Sequence, residues 1–252
     1  MALLQNKRRC FVKPLHEFSL ERLKDFIKQH QIELVIPLSF SDMRFLSVQN
    51  IGCRYLSPPN FEMVRLLDQK NLFFDFMSYN GLSEFLPETY VVCADEPVRY
   101  GSIKYPAIFK PISGVGGFGV EILTDEKTDF FEGRKNYIVQ AYIPAQKEYV
   151  GNYVFYQGEL LFSQVLSETF NTDIHIKKGK MISYEAVDDF DHQRFSKIFS
   201  LLKFTGAICI NFKMQGSAIK IFEINPRVGG TLVCNFLNEV TAAITSYFER
   251  RR

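Results

Sequence analysis

Residues 105–123 read YPAIFKPISGVGGFGVEIL. Within them, Gly114, Gly116 and Gly119 satisfy G-x-G-x-x-G, the spacing of a dinucleotide-binding turn. That turn works only between a strand and a helix, because the pyrophosphate rests on the helix N-terminus. Here Tyr105–Pro111 predicts one strand and Val120–Leu123 predicts another, so the required helix is missing. No Gly-Lys-Ser/Thr follows, which removes a Walker loop as well. What remains is a glycine loop between two antiparallel strands. Four of the seven residues from Ser113 to Gly119 are glycines (114, 116, 117 and 119), more than a plain hairpin needs. Such a loop can fold over phosphates and donate backbone N–H groups. Lys110 precedes it at the strand end, where an ammonium can meet phosphate.

A second dense signal lies at residues 221–231, IFEINPRVGGT. Glu223 and Asn225 are two apart on a predicted strand, so they share one face. Asn211 falls on the neighbouring predicted strand. Oxygen donors on one sheet face suit Mg²⁺, with phosphate oxygens and water completing the octahedron. Arg227, just past the strand, offers a guanidinium for bidentate contact with a phosphoryl or carboxylate group. Taken without the glycine loop, the same residues read as a solvated strand edge with a turn at Asn-Pro.

Composition narrows the class. The chain has 252 residues with 46% hydrophobic and 23% charged, an ordinary globular balance. Lys+Arg at 30 against Asp+Glu at 28 leaves a net charge of only +2, so phosphate-driven nucleic-acid binding is not expected. The five cysteines (10, 53, 93, 209 and 234) form no C-x-x-C pair, which argues against structural zinc and for reduced thiols in the cytoplasm. No signal h-region or run of about 18 apolar residues appears, so no membrane span is expected. The 25 phenylalanines and 12 tyrosines have no basic stripe beside them and read as core.

The coarse element pattern begins with an amphipathic helix over 19–30, capped by Ser19. A strand over Ile32–Leu38, a short helix from Ser41 through Phe45 and a strand at Cys53–Leu56 then suggest a small parallel α/β unit. Asn60 is expected to cap a helical region that ends at Asn80-Gly81. Strands follow at 105–111, 120–123 and 137–143. A hairpin joins 149–156 to 160–166 around Gln157-Gly158. A turn is expected at Lys178-Gly179-Lys180 and a helix over 189–203, with Asp188, Asp189 and Asp191 at its N-terminus. Strands at 206–214 and 219–225 and a helix from about Thr231 to Phe248 close the chain. The histidines 16, 30, 175 and 192 read as structural or solvated.

Lys70, Lys110, the glycine loop, the Gln140–Glu148 segment and Glu223-Ile-Asn-Pro-Arg227, in this order and spacing, resemble the ATP-grasp superfamily. The resemblance covers roughly residues 60–252. It extends to proteins like carbamoyl phosphate synthetase large subunits and carboxylate–amine ligases. It implies an α+β, ATP-grasp fold: two α+β subdomains gripping ATP, behind a shortened α/β N-terminal unit. The expected division is 1–60 for that unit and 61–252 for the ATP-grasp domain. Within the latter, a nucleotide-lid subdomain would span about 88–140 and a metal-binding subdomain about 141–252.

The resemblance also implies roles. Lys70 and Lys110 would contact phosphates, with Lys110 also near adenine. Ser113, Gly114, Gly116, Gly117 and Gly119 would close over the β- and γ-phosphates. Gln140, Tyr142 and Ile143 would form the hinge against adenine, and Glu148 would accept from the ribose. Asn211, Glu223 and Asn225 would hold Mg²⁺, with Mn²⁺ as an alternative. Arg227 and Lys110 would stabilise the transferred phosphoryl group. The implied reaction activates a small-molecule carboxylate as an acyl phosphate for attack by an amine or thiol. The rival classes are a non-catalytic or partner-dependent ATP-binding protein and a kinase of the same fold.

Three departures from the family pattern stand out. Asn211 replaces a usual Glu, Asp or Gln. Ala141 stands where a hinge carboxylate is common. The N-terminal unit lacks an expected first βα element, which a second copy or a partner subunit could complete.

Overall fold

The computed structural model describes residues 18–56, 61–92, 103–114, 117–125, 134, 136–173, 181–231 and 237–250. The first helix, α1 (Leu20–Gln29), starts as expected: the Ser19 hydroxyl accepts from Arg22 N at 3.3 Å. Leu23 and Ile27, one turn apart, are its buried face. The strand expected at Ile32–Leu38 shrinks to β1 (Leu34–Val35), because Pro37 has no N–H to continue a ladder. β1 pairs in parallel with β2 (Arg54–Tyr55), as the α/β reading requires. Between them, α2 (Phe40–Val48) is capped by Ser39, not Ser41, and runs past Phe45. Ser39 Oγ accepts from Asp42 N, and Asp42 Oδ2 accepts from Ser39 N, both at 3.1 Å. This reciprocal pair outcompetes the lone Ser41 hydroxyl.

The expected helical region is two helices, α3 (Phe61–Asp68) and α4 (Lys70–Tyr79), broken at Gln69. Asn60, the expected cap, lies outside the described residues. Asn80 and Gly81 end α4, with Gly81 at φ 68°.

A four-stranded antiparallel sheet follows. It contains β3 (Thr89–Val92), β4 (Ala107–Pro111), β5 (Glu121–Leu123) and β6 (Tyr137–Ala141), in the order β3-β6-β4-β5. The sequence pattern does not predict β3. It is a four-residue edge strand shortly after Pro87, too short for alternation to show. Ala107, Phe109, Leu123 and Val139 form this sheet's buried cluster.

A five-stranded antiparallel sheet carries most of the core. Its strands are β7 (Lys147–Tyr156), β8 (Glu159–Phe170), β9 (Met181–Ala186), β10 (Gly206–Gln215) and β11 (Ala218–Asn225), ordered β11-β10-β7-β8-β9. Gln157 and Gly158 turn the β7–β8 hairpin at φ 51° and 81°, the two left-handed positions of a tight two-residue loop. β9 is a further strand that the sequence pattern does not predict, and the turn expected at 178–180 lies outside the described residues. The helix expected over 189–203 begins later. Asp191 caps a 3₁₀ turn (His192–Phe195), accepting from Gln193 N at 3.0 Å, and α5 covers only Ser196–Leu202. The last helix, α6, is Leu237–Glu249.

Alternation sorts the two faces of this sheet. Tyr153, Phe155, Ile208, Ile210 and Phe212 face a large core shared with Phe73, Met77, Phe195 and Ile198 of the helical layer. The opposite face carries Glu148, Asn152, Asn211 and Lys213, all buried. Farther along that face, Val154 and Ala207 pack with Leu56, Val240 and Ile244, tying the α/β unit and α6 to the sheet.

One irregularity sets the site. Asn211 pairs with Glu223, but Phe212 pairs with Ile221, leaving Phe222 as an extra residue. Before this bulge Ile219 and Ile221 face the core; after it Ile224 does. The one-residue shift turns Glu223 to the opposite face, toward Asn211.

Candidate functional site

A cleft open to solvent lies between the two larger sheets. Its roof is β4 with the glycine loop: Ile108, Lys110, Pro111, Gly114, Gly117, Phe118 and Val120. Its floor is Asn211, Lys213, Phe222 and Glu223 from β10 and β11, with Glu148 from β7. Gln140, Ala141, Tyr142 and Ile143 close one end, and Lys70 stands at the other side of the floor.

At the Lys70 end, two ammonium groups are moored on consecutive residues. Lys70 Nζ lies 3.5 Å from Glu223 Oε1. Lys110 Nζ donates to the Phe222 carbonyl at 3.0 Å and sits 5.4 Å above the Phe222 ring. Lys110 is 4% exposed. Burial pulls its ammonium down from 10.5 to about 7, against the opposing pull of Glu223. Asp68, at the end of α3, is pushed up by burial while Lys70 and Arg227 pull it down, so these charges share one corner with Glu223. Asn211 Nδ2 donates to Glu223 Oε2 at 3.4 Å.

At the hinge end, Lys213 Nζ donates to Tyr142 Oη at 2.9 Å and to the Ile143 carbonyl at 3.1 Å. It also lies 3.5 Å from Glu148 Oε1. Burial lowers the Lys213 ammonium and Glu148 opposes that shift. Gln140 Nε2 donates to Thr89 Oγ1 at 2.9 Å, which fixes the hinge on β3.

Of the residues singled out in the sequence, Lys70, Lys110, Gly114, Gly117, Gln140, Tyr142, Ile143, Glu148, Asn211 and Glu223 all line this cleft. Ser113 and Gly119 are exposed, both outside the lining. Gly116 lies outside the described residues. Asn225 shares the Glu223 face but stands one row farther on, opposite Cys209 and 6% exposed. Arg227 is half-buried, with Nη1 donating to the Val228 carbonyl at 3.4 Å. Lys213 and Phe222 are among the lining residues that the sequence does not single out. Lys213 has a signal, being two residues past Asn211 and so on its face. Phe222 has none, because only the bulge brings it to the cleft.

The residues fit a divalent metal in a limited way. Among the described residues, no three His, Cys, Asp or Glu side chains converge. Glu223 supplies one carboxylate, and Asn211 supplies an amide oxygen if its side chain turns over. Mg²⁺ binds through one or two such groups together with substrate phosphates, so the pair suits a metal that arrives with a nucleotide. Among the described residues, no helix is long and apolar enough to cross a membrane.

Comparison with known proteins agrees with this arrangement. The family model for the ATP-grasp domain matches residues 81–231, more than half of the chain. No curated protein sequence matches it. Among solved structures, D-alanine–D-alanine ligase from Bacillus anthracis superposes with a TM-score of 0.58 at 16% identity, covering 88% of this chain and 78% of that one. L-amino acid ligase from Bacillus licheniformis gives 0.57 at 14% identity, covering 89% of this chain and 57% of that one. Phosphoribosylamine–glycine ligase from Thermotoga maritima gives 0.60 at 16% identity, covering 78% and 57%. The chain therefore spans little more than half of the latter two. Similarity at these identities speaks for the fold, and the domain match speaks for the family: this chain is an α+β protein that belongs to the ATP-grasp family.

Proposed function

We propose that the protein is an ATP- and Mg²⁺-dependent ligase that activates a small-molecule carboxylate as an acyl phosphate for attack by an amine. The observation that carries this reading is the mooring of Lys70 and Lys110 on Glu223 and Phe222 beneath the glycine loop. Two cations from different elements converge where a triphosphate needs neutralising before a second anion can approach.

The chain's own groups have distinct tasks. Lys70 and Lys110 bind and orient the phosphates. The glycine loop, through Gly114 and Gly117 at the cleft, supplies backbone N–H groups from above. Gln140, Tyr142 and Ile143 flank the base, and Glu148 accepts from the ribose hydroxyls. Glu223 and Asn211 would hold Mg²⁺, or Mn²⁺, which when bound offsets phosphate charge; Asn225 supports them from the adjoining row. Arg227, close enough to act on Asp68 beside Glu223, adds positive charge where the phosphoryl group transfers. In the reaction, a carboxylate oxygen bonds to the γ-phosphorus as the bond to the β-phosphate oxygen breaks. The amine nitrogen then bonds to the acyl carbon, and inorganic phosphate and a proton leave.

Hydroxylamine trapping tests this directly. Incubation with ATP, Mg²⁺, a carboxylic-acid panel and hydroxylamine should yield a hydroxamate and stoichiometric ADP. ATP binding with no hydroxamate from any acid would favour a second reading, an ATP-binding protein that does not turn over alone. Asn211 supports that alternative, since it puts a neutral amide directly opposite Glu223 where a second carboxylate could stand.

A further inference from the structure

The hinge end of the cleft is built around one buried ammonium. Lys213 on β10 stands one step past the Phe212–Tyr149 pair, which puts it opposite Glu148 of β7 on the cleft face. Lys213 is 3% and Glu148 6% exposed. The ammonium donates to Tyr142 Oη at 2.9 Å and to the Ile143 carbonyl at 3.1 Å, and lies 3.5 Å from Glu148 Oε1. These three contacts account for its three protons, so Lys213 is a brace within the protein and has no donor left for a ligand. The brace spans a joint. Tyr142 and Ile143 follow β6 of the four-stranded sheet, whereas Glu148 and Lys213 belong to the five-stranded one. At the same hinge, Ala141 N donates to Glu88 O at 2.8 Å and Tyr142 N to Pro106 O at 3.0 Å. Among the described residues Ile143 N has no backbone acceptor, which leaves it as the hinge N–H for a base.

This inference rests on the reading of the cleft as an ATP site in which Glu148 accepts from the ribose, and concerns what makes Glu148 fit for that task. A buried carboxylate keeps its charge only beside a compensating cation. Lys213 lies within ion-pair distance of Glu148. Lys110 also feels Glu148, but its ammonium is moored on the Phe222 carbonyl. A hydroxyl donating to a carboxylate makes a bond roughly twice as strong as one to a neutral acceptor. Without the Lys213 ammonium, the Glu148 carboxylate takes up a proton or turns away, and ribose hydroxyls lose their charged acceptor. The same ammonium grips Ile143, so the sugar acceptor and the base-facing hinge are fixed to one another. We propose that Lys213 is a positioning residue: it holds Glu148 as a charged acceptor for the ribose hydroxyls and locks it to the hinge, so that the cleft selects nucleotides that carry those hydroxyls.

The probes are ATP and 2′,3′-dideoxy-ATP, which differ only in the sugar hydroxyls. Calorimetry on the full chain with Mg²⁺ should give a dissociation constant at least tenfold weaker for the dideoxynucleotide. Lys213→Met keeps the apolar stem and removes the charge. It should lower the ratio of the dideoxy-ATP constant to the ATP constant at least threefold, because ATP loses a contact that dideoxy-ATP never makes. Lys213→Gln, which retains an amide donor in the same space, carries the same expectation and serves if Lys213→Met does not fold. A lysine that merely supported the fold would weaken both nucleotides by the same factor. A ratio that falls less than threefold in a folded variant therefore overturns the proposal, as does a wild-type ratio below ten. Tight binding of both nucleotides by wild type would sink this inference alone, while failure of a folded chain to bind either would sink the nucleotide reading with it.

Discussion

Lys70 Nζ and Glu223 Oε1 lie 3.5 Å apart, which joins the first residue of α4 to the strand that follows the β10–β11 turn. Glu223 therefore acts twice. It forms an ion pair with Lys70, and it accepts a hydrogen bond from Asn211. Glu223→Ala should reduce ATP turnover at least 100-fold while leaving the circular dichroism spectrum unchanged. A steady-state ADP assay checks this, and turnover within tenfold of wild type would contradict the role.

Asn211 faces Glu223 in register and donates to it at 3.4 Å. A neutral amide is a weaker Mg²⁺ ligand than a carboxylate. Asn211→Asp should lower the Mg²⁺ concentration for half-maximal turnover about tenfold, a change of about 1.4 kcal/mol. Titration of turnover against free Mg²⁺ reads this out, and an unchanged midpoint would argue against Asn211 at the metal.

Lys110 gives the site a pH dependence. Burial lowers its pKa from 10.5 to about 7, so the empty site is only partly protonated at neutral pH. Phosphate favours the charged form, so binding should take up protons and affinity should fall as pH rises through 7. Calorimetry in two buffers of different ionisation enthalpy measures that uptake. The stability sign is opposite. Between about 7 and 10.5 the unfolded chain binds the extra proton, so this lysine's cost to the empty fold shrinks as pH rises across that window. The melting-temperature advantage of Lys110→Met over wild type should accordingly narrow from pH 7 to pH 10.

Gly119 sits at φ 68°, and a Cβ there would lie 3.0 Å from Pro111 Cγ. The left-handed backbone and the rigid proline ring leave a side chain no easy escape. Gly119→Ala should cost about 1–3 kcal/mol in a denaturant melt. It should also weaken nucleotide binding, because the loop is displaced from above the phosphates. A variant as stable as wild type would show that the loop does not need this geometry.

Much of the site is legible in the sequence because its residues follow backbone rules. The strand–glycine loop–strand order at 105–123 by itself excludes the dinucleotide fold, and β4 and β5 occupy those strands. Alternation alone places Glu223 and Asn225 on one face. What escapes depends on contacts between distant segments. The bulge at Phe222 arises from the pairing of β10 with β11, and no local pattern encodes it. Lys213 looks like a strand-end lysine until Tyr142, Ile143 and Glu148 surround it. At the N-terminal side, Ser39 takes the cap over Ser41 because Asp42 lies three residues after Ser39, a spacing the sequence does contain.

The most direct test of the central claim is calorimetric ATP binding to wild type and Lys110→Ala, with and without Mg²⁺. The account predicts saturable, Mg²⁺-enhanced binding by wild type. At 100 times Kd, thermal stability should rise by the equivalent of about 2.7 kcal/mol. Lys110→Ala should lose at least 100-fold in affinity. Absence of binding by folded wild type at millimolar ATP, or equal binding by the two proteins, would contradict the placement of the triphosphate beneath the glycine loop.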